Sequence, residues 1–169
     1  MPKLANAVTM KGNPVTLLGD QVEVGQTAPE ATLVANDLSE VKISSFKGKK
    51  VILSVIPSLD TGICDLQTKR FNKEASHLTG VTILTISMDL PFAQKRWCGA
   101  AGVDKVVTLS DHRDASFGQA YGMLIQGLRL LTRAIFIIDA AGKIVYKQIV
   151  PEVTTEPNYD AVLEAAKKL

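Results

Sequence analysis

The stretch Lys50-Val51-Ile52-Leu53-Ser54-Val55-Ile56-Pro57-Ser58-Leu59-Asp60-Thr61-Gly62-Ile63-Cys64 decides the reading of this chain. Its first half is a near-continuous apolar run, which suits a strand buried on both faces of a sheet. Its second half leaves that strand and enters a helix. Asp60 and Thr61 are both good N-cap residues, and Gly62 lets the backbone approach a ligand closely. With Thr61 as the cap, Cys64 falls in the first helical turn. There the free backbone N–H groups and the positive end of the helix dipole favour an anion, and hence the nucleophilic thiolate. The same N–H groups could stabilise charge on a departing oxygen. A buried cysteine acting as a small hydrophobe is the competing reading, and position alone does not separate the two.

Working outward, Cys64, Phe71, Ala75 and Leu78 share one helical face, with Lys69, Arg70, Lys73 and Glu74 mostly on the other. Val81–Ser87 and Lys105–Leu109 read as two further strands. Between them Pro91–Ala100 reads as a helix, with Pro91 in its first turn and Gly99 and Gly102 at its end. Arg133–Ile138, the turn 140–142 and Lys143–Val150 form a hairpin. Asn158–Leu169 is an amphipathic helix presenting Tyr159, Val162, Leu163 and Ala166. Near the start, residues 7–19 read as a β-hairpin turning at Lys11-Gly12-Asn13-Pro14. Ala31–Val34 is a short strand, and 25–30 and 45–49 are connections. Strands alternating with helices imply parallel crossover units, to which the late hairpin adds antiparallel strands. The expected fold is α/β: a thioredoxin-like mixed sheet flanked by helices, with an N-terminal β-hairpin. No repeat or linker interrupts it, so 1–169 is expected to be a single domain.

Composition narrows the function. Of 169 residues, 46% are hydrophobic and 21% charged, as in ordinary globular proteins. The net charge of +2 comes from 19 basic and 17 acidic side chains, too small a surplus to point to nucleic acid or a membrane surface. No stretch approaches the roughly 18 apolar residues of a membrane span, and no signal-peptide core is visible. A cytoplasmic location is the default expectation. Only two cysteines, Cys64 and Cys98, and two histidines, His77 and His112, are present. A zinc site is not expected from that set, and no G-x-G-x-x-G or phosphate loop suggests a nucleotide cofactor. In a reducing compartment the cysteines are two buried thiols or a redox couple. Cys98 follows Trp97 late in the second helix, where a packing role is the simpler reading. Helices that follow parallel strands start at one edge of the sheet, which places both cysteines near that edge.

At this point the residues match a family. Pro57-x-x-x-Thr61-x-x-Cys64 resembles the peroxiredoxin active-site motif. D-T-G-I-C followed by Q-T-K-R-F-N is similar to the bacterial thiol peroxidase subfamily, the atypical two-cysteine type. The likeness continues through 87–98 (S-M-D-L-P-F-A-Q-K-R-W-C), 109–113 (L-S-D-H-R) and 131–139 (L-T-R-A-I-F-I-I-D), and so spans essentially the whole chain.

The resemblance implies a role for each matched position. Cys64 corresponds to the peroxidatic cysteine, which attacks a hydroperoxide and becomes a sulfenic acid. Thr61 corresponds to the hydroxyl that hydrogen-bonds the thiolate and orients the peroxide, and Pro57 to the proline shielding the pocket. Arg133 corresponds to the arginine that stabilises the thiolate and the polarised substrate. Cys98 corresponds to the resolving cysteine, closing an intrachain disulfide that thioredoxin reduces. A homodimer and no cofactor are also implied.

Read without the family, Arg133 is a solvated strand-edge charge, Thr61 only a cap and Pro57 a strand stop. Tyr121, Gly122 and Leu128 are packing or a dimer surface. A disulfide needs Cα atoms within about 7 Å. The two cysteines are expected to lie farther apart when reduced, so that closure needs local unwinding. The chain shows neither the Gly-Gly-Leu-Gly loop nor the terminal Tyr-Phe pair of overoxidation-sensitive relatives, and resistance to sulfinic acid formation is expected. A thiol-disulfide oxidoreductase is the alternative enzyme, though it would lack C-x-x-C. A redox-sensing or chaperone-like binding protein and an inert domain with two buried thiols complete the alternatives.

Overall fold

The computed structural model describes all 169 residues. In chain order the strands and helices are β1 (Lys3–Met10), β2 (Asn13–Leu18), β3 (Thr32–Val34), β4 (Glu40–Lys42), β5 (Lys50–Val55), α1 (Gly62–Ala75), β6 (Val81–Ser87), α2 (Pro91–Ala101), β7 (Val107–Ser110), α3 (Ser116–Tyr121), β8 (Leu124–Ile125), β9 (Leu130–Leu131), β10 (Ala134–Ile138), β11 (Ile144–Ile149) and α4 (Tyr159–Lys167). A seven-stranded sheet runs β11-β10-β5-β6-β7-β3-β4, with β5, β6 and β7 parallel and the other pairings antiparallel. This is the mixed α/β, thioredoxin-like arrangement expected from the sequence.

Side-chain alternation along the strands builds the two sides of this sheet. Ile52, Ile83, Ile135 and Ile137 face one way and pack with Phe71 of α1 and with Val162 and Ala166 of α4. Val51, Leu53, Val55, Leu84, Ile86 and Phe136 face the other way, onto Phe117, Tyr121 and the second sheet. The central strands are therefore apolar at nearly every position because both faces are covered. Each fully buried residue of this kind contributes roughly 1.5–3 kcal/mol.

The structure adds to the sequence reading in several places. The N-terminal hairpin is half of a separate four-stranded sheet, β1-β2-β8-β9. Strands β8 and β9 have two residues each, too few to show a period. Of the two readings for Tyr121, packing is the one the structure bears out: it is fully buried, stacked on Phe117 at 4.2 Å between centroids, and its hydroxyl donates to the Pro29 carbonyl at 2.9 Å. Gly122 ends α3 with φ +67°, where an added Cβ would lie 2.7 Å from the Asp20 carbonyl oxygen. The third strand starts at Val107, two residues later than expected, and a 3-10 turn at Ile43–Phe46 overlaps the start of the expected 45–49 connection.

Candidate active site

Pro57, Thr61, Cys64 and Arg133 all belong to the end of the sheet where β5 leads into α1. Pro57 is buried two residues after the end of β5, and Thr61 has the extended backbone of an N-cap (φ −91°, ψ 145°). The first helical hydrogen bond is Asp65 N–H to the Thr61 carbonyl at 3.0 Å. The N–H groups of Gly62, Ile63 and Cys64 precede it, in the turn where the backbone has no intrahelical acceptor. Cys64 is the third residue of α1 and is fully buried, packed with Ile56 and Leu59 and with Trp97 beside them.

Arg133 is not a solvated edge charge. It immediately precedes β10 and is only 2% exposed. Its guanidinium donates in three directions: Nε to the Val153 carbonyl at 2.9 Å, Nη1 to Gln67 Oε1 at 2.7 Å and Nη2 to Cys64 Sγ at 3.3 Å. Two of these acceptors are neutral amide oxygens, so Cys64 is the only one that can carry a negative charge. A buried cation is costly without a counter-charge. The arrangement therefore favours electron density on the Cys64 sulfur and on whatever oxygen approaches it.

Thr61 departs from the cap geometry read from the sequence. Its hydroxyl makes no cap bond and donates instead to the Ser58 carbonyl at 3.0 Å. The backbone turns into the helix at Thr61 as expected, but the 58–61 turn takes its side chain.

Cys98 is on the neighbouring helix, out of contact with this cluster. It is half-buried on α2, seven residues past Pro91, about 10 Å along the helix at 1.5 Å per residue. Its Sγ lies 3.7 Å from Thr108 Oγ1 on β7, beside a groove lined by Asn36, Asp37, Asp104 and Thr108. Burial pushes its thiol pKa up, partly offset by the Thr108 hydrogen bond. Ser54, Thr85 and Thr108 are in register across β5, β6 and β7. Gln67 bonds Ser54 and Cys98 meets Thr108, so the Cys98 contact lies two strand spacings, about 10 Å, from the Gln67 contact. In-register pairing puts the two contacts at the same height along the strands, so both cysteines lie toward the same end of the sheet, as expected, but apart across it. Both are free thiols in separate surroundings.

Sequence reading missed several residues of the site. Gln67 follows Cys64 by three positions, so it lies on the same helical face. Its side chain accepts from Arg133 and donates to Ser54 Oγ at 2.8 Å, all fully buried. A polar residue on an otherwise apolar helical face was the available signal. The Val153 carbonyl had none, because a backbone acceptor carries no residue type. Trp97 Nε1 donates to Asp65 Oδ1 at 3.0 Å, tying α2 to the first turns of α1.

Comparison with known proteins agrees with this geometry. A family model described as Redoxin matches residues 23–163. A thiol peroxidase of Bacillus subtilis (strain 168) is 57% identical over 162 residues, 96% of this chain and 97% of the relative. A thiol peroxidase of Halalkalibacterium halodurans is 56% identical over 161 residues, covering 95% of this chain and 97% of the relative. Among solved structures, the crystal structure of a peroxiredoxin-like protein from Aquifex aeolicus superposes with a TM-score of 0.91 at 45% identity, over 97% of each chain. The chain belongs to the Redoxin family, in its bacterial thiol peroxidase branch, as the sequence motifs suggested. No helix is long and apolar enough to cross a membrane.

Proposed function

We propose that this protein is a thiol peroxidase that reduces hydrogen peroxide and organic hydroperoxides, with Cys64 as nucleophile and Cys98 as resolving thiol. The observation that carries this reading is the 3.3 Å approach of the buried Arg133 guanidinium to Cys64 Sγ in the first turn of α1. The Cys64 thiolate attacks the terminal peroxide oxygen. As the S–O bond forms and the O–O bond breaks, charge builds on the departing oxygen. Arg133 and the free N–H groups of the turn are placed to stabilise it. That oxygen takes a proton and leaves as alcohol or water, and Cys64 is left as a sulfenic acid. Pro57 closes the strand side of the site, and Thr61 belongs to the turn that shapes its entrance.

Cys98 then condenses with the sulfenic acid, forming an S–S bond and releasing water. A dithiol reductant of the thioredoxin type returns both thiols by two exchanges. Cys98 borders a groove and Cys64 is fully buried, so Cys98 is the sulfur open to that reductant. No further cofactor takes part in the cycle. Residues 1–169 act as one domain, because a single cluster of buried residues joins both sheets. A reducing, cytoplasmic setting suits this cycle. Exposed Leu66, Leu90 and Phe92, on or beside the cysteine-bearing helices, offer an apolar surface to a second copy.

The test is the intact mass of reduced protein before and after one equivalent of hydroperoxide. Loss of about two mass units in monomeric chains, abolished in Cys98→Ser, is the expected result. An unchanged mass would mean that Cys64 is inert toward peroxide.

A further inference from the structure

The loop leading into α2 reaches across to the loop leading into α1 through one side chain, Asp89. Its Oδ1 accepts from Ser58 Oγ at 2.6 Å. Its Oδ2 accepts from Leu59 N–H and from Ser87 Oγ, each at 2.8 Å. No lysine or arginine pairs with it, so the carboxylate is held by neutral donors alone, through charge-assisted bonds. The clasp is itself anchored. Ser87 Oγ accepts from Gln94 Nε2 of α2 at 3.1 Å, and the Asp89 carbonyl accepts from Ser110 Oγ of β7.

What Asp89 grips is the segment between β5 and Cys64. Leu59, whose N–H it holds, is 2% exposed and packs on Ile56 and Cys64. Ser58 also takes part in the turn that ends at Thr61: its Oγ accepts from Asp60 N–H and its carbonyl accepts from both the Thr61 N–H and the Thr61 hydroxyl. Asp89 therefore sets the position of the cover over the sulfur and of the turn before the free N–H groups.

We infer that Asp89 is a positioning residue for the peroxide step, and that the same clasp opposes closure of the disulfide. This rests on the reading of Cys64 and Cys98 as the reacting pair. A fixed 58–61 turn holds the peroxide against Cys64, the thiol and the O–O bond being the reacting groups. For Cys64 to meet Cys98 that turn has to move, and the Asp89 bonds to Ser58 and Leu59 restrain it. Loosening them slows the first step and leaves the second as fast or faster.

The experiment measures the two steps separately by rapid mixing with hydrogen peroxide. Sulfenic acid formation is followed in a Cys98→Ser background, and disulfide closure in the two-cysteine protein by quenched intact mass. Asp89→Asn keeps the shape and removes an acceptor. It is expected to slow the peroxide step about 10- to 100-fold, the cost of a misplaced reacting geometry, with closure at least as fast as in the parent. Ser58→Ala removes one of the bonds with little risk to folding, and is expected to change the rates in the same directions by a few-fold. Peroxide rates within about twofold of the parent in both variants would overturn the inference. So would slowing of both steps by the same factor, the mark of a merely structural role. If the parent itself closes no intrachain disulfide, the assignment of Cys98 has failed. The peroxide step in the Cys98→Ser background then still decides whether Asp89 positions the turn.

Discussion

Arg133 Nη2 lies 3.3 Å from Cys64 Sγ, and both side chains are closed off from solvent. The contact joins a residue just before β10 to the first turn of α1, elements far apart in sequence. It persists because Val153 and Gln67 fix the other two arms of the guanidinium. A lysine could supply the charge but not three directed donors. Arg133→Lys is expected to lower the second-order rate constant for hydroperoxide about 10²- to 10³-fold, the usual cost of losing a donor to a developing oxyanion. Competition against a reference peroxidase gives the number. A loss below about threefold would mean that the guanidinium is not engaged in the transition state.

Gln67 carries a different prediction because it connects two buried groups. Replacing it with leucine leaves Arg133 Nη1 and Ser54 Oγ without partners in a dry site. An unpaired buried polar group costs about 1–3 kcal/mol. Gln67→Leu should destabilise the fold by that order in chemical denaturation. Adding Ser54→Ala should recover part of the loss, because it removes one of the two orphans. Strict additivity of the two substitutions would show that the pair is not coupled.

What the sequence revealed follows from the range of each interaction. The strand at 50–55, the helix from Gly62 and the cysteine in its first turn are written in contiguous residues, and the structure reproduces them. The register Ser54–Thr85–Thr108, and with it the distance between the cysteines, depends on strand pairing that no local pattern encodes. The sequence alone also left Arg133 as a surface charge. Its burial arises from α1, β10 and the segment at Val153 converging, and only the family motif pointed to it. Gln67 and Asp89 were missed because each acts through a partner more than ten residues away.

Asp111 gives a pH prediction about stability. It follows β7, and its two carboxylate oxygens accept from Phe117 N–H at 2.9 Å and Gly118 N–H at 2.8 Å. Burial pushes its pKa from 3.8 up to about 6, against the pull of those two bonds and of Arg129. A raised carboxyl pKa means that the folded state holds the proton more tightly. Its contribution is therefore full below about pH 4 and is lost as pH rises through 6, by roughly 3 kcal/mol. Asp111→Asn removes this titration and weakens one acceptor. The variant should be the less stable protein at pH 4, with the gap narrowing by pH 7. A gap that widens over that range would overturn the assignment.

Trp97 is the only tryptophan, and it sits between the two helices. Its Nε1 donates to Asp65, one residue after Cys64, and it directly precedes Cys98. Joining the two sulfurs has to displace at least one of these neighbours. Oxidation by one equivalent of peroxide should therefore change its emission, in a phase whose rate matches disulfide closure. Cys98→Ser should lack that phase. Identical spectra for the reduced and disulfide forms would mean that the segment around Trp97 stays in place.

The closing step should also depend on pH in its own way. Cys98 attacks as a thiolate, and burial raises its pKa above the ordinary 9.0. At neutral pH the thiol is protonated, and the reactive fraction grows about tenfold per pH unit. A thiol whose folded pKa is raised supports the fold fully below its unfolded pKa and loses that support only as pH climbs through the higher value. Between pH 7 and 8 faster closure would therefore report ionisation rather than a loosened fold. Thr108 makes the hydrogen bond that partly offsets the rise, so Thr108→Val should slow closure further across this range. Quenched-flow measurement of disulfide formation on the sulfenic acid form checks both statements. A flat profile in the parent, unchanged in the variant, would mean that helix opening limits closure and that Cys98 ionises only after it has left Thr108.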